Sequence, residues 1–297
     1  MKYSIKNFAC VIVTYKHNPK IFSKLLEVHK LNFYKILIVN NSPEIFFDSH
    51  KSAQVTIINN PDNLGLSVAL NIGIQEAKKL GYKMVALFDQ DTELPLNFSR
   101  LMLQYINHYQ ADKPVAVYSP IFHNHVIDET AKHINFKPFR LIRGSVDDSD
   151  YAHPHYVITS GSIIPMEVLD DVGLMCEELF IDFVDIEWCL RAKKRGYKIV
   201  AINKVMIDHY LGDYMVQFMG HRYPIHSPLR MYYYFRNSIY LYQRSEIELN
   251  WRVVDSTRNL FRFQFYMLFV NNRPTYFKYI IKGYYHGFIK KMGKLEE

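Results

Sequence analysis

Cysteine is scarce in this 297-residue chain, with only Cys10, Cys176 and Cys189. Three scattered thiols exclude a disulfide framework and a zinc ribbon, and suit a reducing compartment. No apolar run approaches the ~20 residues that a membrane-crossing helix needs. Phe8 to Val13 is strand-sized, too short for a signal peptide, and Leu260 to Val270 is interrupted by Arg262 and Gln264. Membrane contact, if made, is therefore expected to be peripheral. No G-x-G-x-x-G string follows the first apolar run, and no G-x-x-x-x-G-K-[ST] loop occurs, which argues against a dinucleotide-binding or P-loop protein. Internal repeats and low-complexity tracts are also missing.

What is present is globular in character: 49% of residues are hydrophobic and 22% charged, enough for a large core. The charge is unevenly placed. Residues 222–297 hold 13 Lys and Arg against 5 Asp and Glu, and 19 of the 45 aromatic side chains. The rest of the chain is close to neutral, so the whole net charge of +7 arises in the last quarter. Such a tail suits an anionic lipid surface or another phosphate-rich partner, or else packs on the body as a charged helical unit. The expected division is a catalytic domain over residues 1–221 and a helical membrane-association or oligomerisation region over 222–297.

Apolar runs at Ala9–Thr14, Lys35–Asn40, Val55–Ile58 and Met84–Phe88 read as buried strands. Helical spacing marks Pro19–Leu31 and Ser67–Leu80, the latter stopped by Gly81. Strands alternating with helices predict a parallel sheet of right-handed βαβ units, with ligands at the carboxyl ends of the strands. Val115–Tyr118, Tyr156–Thr159 and Lys198–Ile202 read as further strands, and Met166–Val172 and Asp185–Arg195 as helices. The stretch Phe122 to Pro154 reads as a functional loop or a hairpin excursion. Ser227-Pro228 opens a helix over Leu229–Arg244, followed by helical regions near Ile247–Val270 and Tyr276–Lys291.

The predicted strand ends carry polar clusters: Thr14-Tyr15, Asn40-Asn41, Asn59 to Asn63, and Asp89-Gln90-Asp91. Two carboxylates at i and i+2 past a strand end can share one Mg²⁺ or Mn²⁺, or can simply form an Asx turn. Asp182, Asp185 and Glu187 stand among apolar neighbours, where desolvation raises basicity. The competing reading makes Asp185 a helix cap and Glu187 a first-turn residue. His209 is either a structural residue or a nitrogen ligand for a cation held by Asp89 and Asp91. Asn63-x-Gly65 and Asn71-x-Gly73 are either backbone approaches to a base and ribose, or a loop and a packing glycine.

In order, Val13-Thr-Tyr15, Val39-Asn-Asn-Ser42, Asn63-x-Gly65, Phe88-Asp-Gln-Asp-Thr92, Ser160-Gly161, Asp182-x-x-Asp185-x-Glu187-Trp188-x-x-Arg191 and His209 together resemble the family-2 glycosyltransferases of the GT-A fold. Within that family they are most similar to bacterial rhamnosyltransferases of O-antigen and capsule synthesis, with galactofuranosyltransferases as near relatives. Arg230-x-Tyr232-Tyr233-x-x-Arg236-Asn237 also matches that group. The resemblance spans residues 8–240. It implies an α/β fold with a mainly parallel sheet and an inverting, metal-dependent transfer of a sugar, L-rhamnose from dTDP-rhamnose or a hexose from a UDP-sugar. The acceptor would be a lipid-linked glycan at the cytoplasmic face of the membrane.

Carried onto this sequence, Thr14, Tyr15 and Asn40 or Asn41 would hold the base, with Asn63 and Gly65 lining the pocket. Asp89, Gln90 and Asp91 would meet the nucleotide-sugar, Asp89, Asp91 and His209 would ligate Mg²⁺ or Mn²⁺, Asp185 would be the general base, and Arg236 would pair with phosphate. The aromatic tail would face anionic lipid or a second subunit, and no nucleic-acid partner is expected. The alternative from another class is an inactive binding or scaffold protein on the same fold. It would be marked by loss of a key carboxylate, and both Asp91 and Asp185 are present.

Overall fold

A computed structural model describes residues 3–43, 50–124, 128–209, 214–218 and 221–296. The elements run β1 (Phe8–Thr14), α1 (Pro19–Asn32), β2 (Lys35–Asn40), β3 (Val55–Asn59), α2 (Leu66–Lys79), β4 (Met84–Asp89), α3 (Phe98–His108) and β5 (Val115–Asn124). The short strands β6 (Glu129–Thr130), β7 (His133–Lys137), β8 (Arg140–Gly144) and β9 (Tyr151–Ala152) follow. Next come β10 (Ser162–Pro165), α4 (Met166–Val172), α5 (Val184–Lys194), β11 (Lys198–His209), β12 (Tyr214–Phe218) and β13 (His221–Ile225). The chain closes with α6 (Pro228–Tyr242), α7 (Leu249–Phe269) and α8 (Arg273–Phe288).

The main sheet has nine strands in the order β3-β2-β1-β4-β10-β5-β11-β9, with β6 added beside β5. β1 runs parallel to β2 and β4, and β11 parallel to β5, while β10 is antiparallel to both β4 and β5. Strands buried on both faces read as unbroken apolar runs, which is why β1 to β4 are visible in the sequence. In β1 the side chains alternate: Ala9, Val11 and Val13 enter one core and Phe8, Cys10 and Ile12 the other. Phe22 and Leu26 of α1 and Phe98, Met102 and Ile106 of α3 cover the second face. Ala69, Leu70 and Ile74 of α2, with Trp188 of α5, cover the first.

Gly73 lets α2 seat directly on β1, since a Cβ there would lie 2.4 Å from Val11 Cγ1. The glycine of the Asn71-x-Gly73 pair is therefore a packing residue. Asn71 likewise ties α2 to the chain at 175–177, accepting from Met175 N–H and donating to its carbonyl.

One expectation needs correction. Tyr156–Thr159 is not a strand; the strand is β10, which starts three residues after Thr159. Pro154 removes one ladder donor nearby, and the Thr159 N–H is directed to the Asp185 carboxylate. Within the Phe122–Pro154 stretch the expected hairpin excursion is β7–β8, beside the continuation of β5.

Helices α6 and α7 dock on the body through a shared core, and α8 packs on α6 and α7 through Tyr276 and Ile280. Leu241, Ile247, Trp251 and Val254 join the cluster that packs the first sheet face. Ser227 caps α6 as expected, accepting from Arg230 N–H with Pro228 in the first turn. No helix among the described residues is long and apolar enough to cross a membrane.

Candidate active site

Sheet register brings the polar strand ends together. Thr14 lies opposite Asn40, Asn40 opposite Asn59, and Val13 opposite Asp89. At the β1–β3 corner the asparagines hold one another. The Asn40 amide donates to Asn59 Oδ1 at 3.1 Å, and its own Oδ1 faces Thr14 Oγ1 at 3.5 Å. Asn41 donates to Asn63 Oδ1 and to the Gly65 carbonyl, while accepting from Leu64 N–H. Both Asn40 and Asn41 are buried. Their side chains shape the corner instead of offering free amides to a base, because nearby backbone and amide groups already occupy them. What the corner presents outward is the Tyr15 ring, 42% exposed, together with the 63–64 turn.

Gly65 has φ +88°, and a Cβ there would sit 2.6 Å from the Phe180 ring. Its bareness admits Phe180, whose carbonyl also accepts the Leu66 N–H at 2.6 Å. The contact that needs glycine is thus with the protein's own chain. Gln90 bridges to the corner by accepting from the Tyr15 N–H at 2.7 Å.

Asp89 closes β4 and is held by a residue given no role from sequence. Ser160 Oγ donates to Asp89 Oδ2 at 2.6 Å and accepts from Asp89 N–H and from Thr92 Oγ1. Asp89 and Asp91 are both partly exposed. Glu93 and Asp208 form a backbone bridge, so the residue before His209 runs beside the chain just past Asp91. The His209 side chain lies outside the described residues. Among those described, no group of three or more His, Cys, Asp and Glu side chains is arranged to hold a metal ion. Two carboxylates sharing a cation with phosphate oxygens and water suit Mg²⁺ or Mn²⁺ without a third protein ligand.

Asp185 sits in the second turn position of α5, not at its cap, which is Phe183 in the left-handed region. Its Oδ2 accepts from Thr159 N–H at 3.2 Å and its Oδ1 from Ile186 N–H at 2.8 Å. It borders a small cleft with Thr159, Ser162, Met175 and Trp188. Burial pushes its pKa up to about 6, and the Asp89 charge pushes the same way against those hydrogen bonds. Glu187, by contrast, is wholly buried and bonded to Arg191 at 2.8 Å, an internal strut rather than a site group.

The chain leading into Asp185 is unusual. Phe180, Asp182 and Phe183 all have positive φ, at 65°, 62° and 65°. Non-glycine residues there cost energy, so the surroundings must enforce the shape. Asn237 of α6 does so with one amide, which donates to the carbonyls of Leu179, Ile181 and Asp182 at 2.8, 2.7 and 3.1 Å. Arg236 donates to Leu179 O at 2.9 Å and to the Gly293 carbonyl. Arg230 forks onto the Asp182 carboxylate, and Phe180 stacks on Tyr233 at 4.9 Å. The expected pairing of Arg236 with phosphate is corrected by this placement. Its guanidinium is fully buried and turned to backbone carbonyls. Ser160, Arg230 and Asn237 are the site residues without a sequence-derived role. The signal for Asn237 is a polar pair, Arg236-Asn237, on the apolar face of an aromatic helix.

The sheet is mixed but mainly parallel in its first half, is covered by helices on both faces, and carries Asp89 at the carboxyl end of β4. The chain belongs to glycosyl transferase family 2, whose model matches residues 10–173. It is 32% identical over 252 residues, 82% of each chain, to the dTDP-rhamnosyl transferase RfbF of Shigella flexneri. The fold is shared with S. aureus TarS in complex with UDP-GlcNAc (TM-score 0.57, 14% identity, 93% of this chain and 81% of that one). It is also shared with GalNAc-T7 bound to UDP, GalNAc and Mn²⁺ (TM-score 0.56, 14% identity, 77% of this chain), of which this chain spans 47%. The protein is a glycosyltransferase of GT-A type.

Proposed function

We propose that this glycosyltransferase moves L-rhamnose from dTDP-rhamnose to a lipid-linked glycan at the cytoplasmic face of the membrane, inverting the anomeric carbon. The observation that carries the mechanism is that adjacent residues hold the two carboxylates, Thr159 donating to Asp185 and Ser160 to Asp89, which brings a desolvated carboxylate beside the one at the end of β4. The donor assignment draws its support from the similarity to the dTDP-rhamnosyl transferase.

The base of the donor lies against Tyr15 and the 63–65 turn, in the corner that Asn40, Asn41 and Asn63 keep rigid. Thr14, buried at the end of β1, sets the height of that corner through Asn40. Gln90 keeps the Tyr15 backbone in place. Asp89 and Asp91, with His209 as the further candidate, would hold Mg²⁺ or Mn²⁺, and the cation would supply positive charge that neutralises the diphosphate leaving group. Ser160 orients Asp89 through its 2.6 Å hydrogen bond. Asp185 accepts the proton of the acceptor hydroxyl as that oxygen forms the new bond to the anomeric carbon. The bond from that carbon to the diphosphate oxygen breaks on the opposite face, and the nucleoside diphosphate leaves with the electron pair.

The test is a donor panel read by nucleoside-diphosphate release, with dTDP-rhamnose, UDP-galactofuranose and UDP-GlcNAc, in Mg²⁺, Mn²⁺ or excess EDTA. Turnover is expected with dTDP-rhamnose alone, to vanish in EDTA, and to be lost in Asp91→Ala. Preference for a UDP-sugar would overturn the donor assignment, and full activity in EDTA would remove the cation from it.

A further inference from the structure

Helix α8 touches the rest of the protein along one face. Tyr276, Ile280, Gly283, His286 and Gly287 are buried there. A Cβ on Gly283 would lie 2.6 Å from the Tyr232 carbonyl oxygen, and one on Gly287 2.4 Å from that of Arg236. His286 Nδ1 meets the Tyr232 hydroxyl at 2.7 Å. These contacts fix the rotation of α8 about its own axis and therefore fix which side chains look outward.

The outward stripe is apolar. Phe277, Ile281, Tyr285 and Phe288 are 50%, 44%, 62% and 73% exposed. Steps of four, four and three residues put them on one line along the helix. Lys278 and Lys282, each one residue further on, flank that line. From Arg273 to Leu295 the chain carries six Lys and Arg and no acidic residue. A protein–protein interface is depleted in lysine, whereas a helix lying in a lipid headgroup layer carries lysines beside its apolar stripe.

We infer that the outer face of α8 docks on an anionic lipid bilayer. The rings of Phe277 and Phe288 and the Ile281 side chain enter the headgroup–acyl boundary, and Lys278, Lys282, Lys290 and Lys291 meet lipid phosphates. The consequence reaches the active site through rigid contacts. α8 is seated on α6, and Arg236 and Asn237 of α6 hold the segment that leads into Asp185. Docking by this face therefore sets the orientation of the cleft relative to the bilayer. The inference is independent of the donor and of the role of Asp185.

The experiment is co-sedimentation of the full chain with vesicles of phosphatidylcholine alone or with added phosphatidylglycerol, at low and high salt. Wild type is expected to prefer the anionic vesicles. Lys278→Glu with Lys282→Glu should weaken that binding on the order of tenfold or more at low salt. Ile281→Ser with Phe288→Ser should weaken it on the order of tenfold at both salt concentrations. Leu31→Ser, an equally exposed apolar residue on α1, should leave it unchanged. The changes are at exposed positions, apart from the half-buried Lys282, and urea unfolding checks that each variant is folded. Equal binding to both vesicle types overturns the inference. So does loss in the charge variant alone, which would describe a general polyanion surface. A concentration-dependent dimer that Ile281→Ser with Phe288→Ser abolishes, with no vesicle binding in wild type, would assign the face to a second copy of the chain.

Discussion

The β1–β3 corner and the segment 178–183 both shape the cleft, but they are held in opposite ways. In the corner, Asn40, Asn41 and Asn63 are tied to residues no more than 24 positions away, apart from the long Thr14 contact at 26. The 178–183 segment takes its restraints from α6, with Arg230, Arg236 and Asn237 reaching across 48 to 58 positions. The three asparagines of the corner take their hydrogen bonds from nearby in sequence, with Gln90 as a distant support at Tyr15. The segment is strained, with three non-glycine residues at positive φ, and depends on a distant helix. A pocket wall can be built locally, whereas placing the carboxylate proposed as the base beside it needs the whole fold.

The largest effect should come from the carboxylate that this segment delivers. Asp185→Asn keeps the size and most hydrogen bonding but cannot take a proton. kcat should fall about 10²–10⁴-fold, or ~3–5.5 kcal/mol of barrier, with nucleotide binding by calorimetry unchanged. In the wild type the base works only when ionised, so log kcat/KM should fall with unit slope as pH drops below about 6. That limb should disappear in Asp185→Asn. An equal loss of nucleotide affinity would instead make Asp185 a structural group.

Next comes the clamp. Asn237→Ala removes the two N–H donors that three carbonyls share and should cost roughly 2 kcal/mol by urea unfolding, at about 1 kcal/mol per donor. It should also lower kcat more than nucleotide affinity. Asn63→Ala in the corner should show the reverse split, with a cost of about 2 kcal/mol for its two hydrogen bonds and its effect on nucleotide affinity. Similar splits for the two variants would erase the distinction between the regions.

Gly65→Ala tests the point where the two regions meet. A Cβ 2.6 Å from the Phe180 ring, at φ +88°, should destabilise by roughly 2 kcal/mol and impair both nucleotide affinity and kcat. The smallest effect is expected from Arg230→Gln. Its partly exposed ion pair with Asp182 should contribute no more than ~1 kcal/mol, seen as a small shift in the urea midpoint.

Much of the architecture is readable before any coordinates. β1, β2 and β4 show as apolar runs because both faces of a parallel sheet are covered. Ser227-Pro228 announces α6 because capping is a local interaction. Tyr156–Thr159 misleads for a physical reason. Tyr156, Val157 and Ile158 are apolar enough for a strand, but they form no ladder; all three line a cavity beside β5, and Val157 and Ile158 also line the cleft that Asp185 borders. Arg236 misleads similarly: an arginine near a predicted phosphate site invites pairing, and only its burial against carbonyls assigns it to the clamp.

The sequence by itself determined β1 to β4 and the starts of β5 and β11, the carboxylates after β4 and the basic, aromatic character of the tail. Each of these depends on neighbours within one element or one turn. Tertiary structure alone decided that Asp185 is a desolvated carboxylate within reach of the Asp89 charge, and that Asn237 holds the chain before it. It also decided which face of α8 looks outward. Those properties depend on burial and on groups brought together from dozens of positions apart, and no local pattern encodes either.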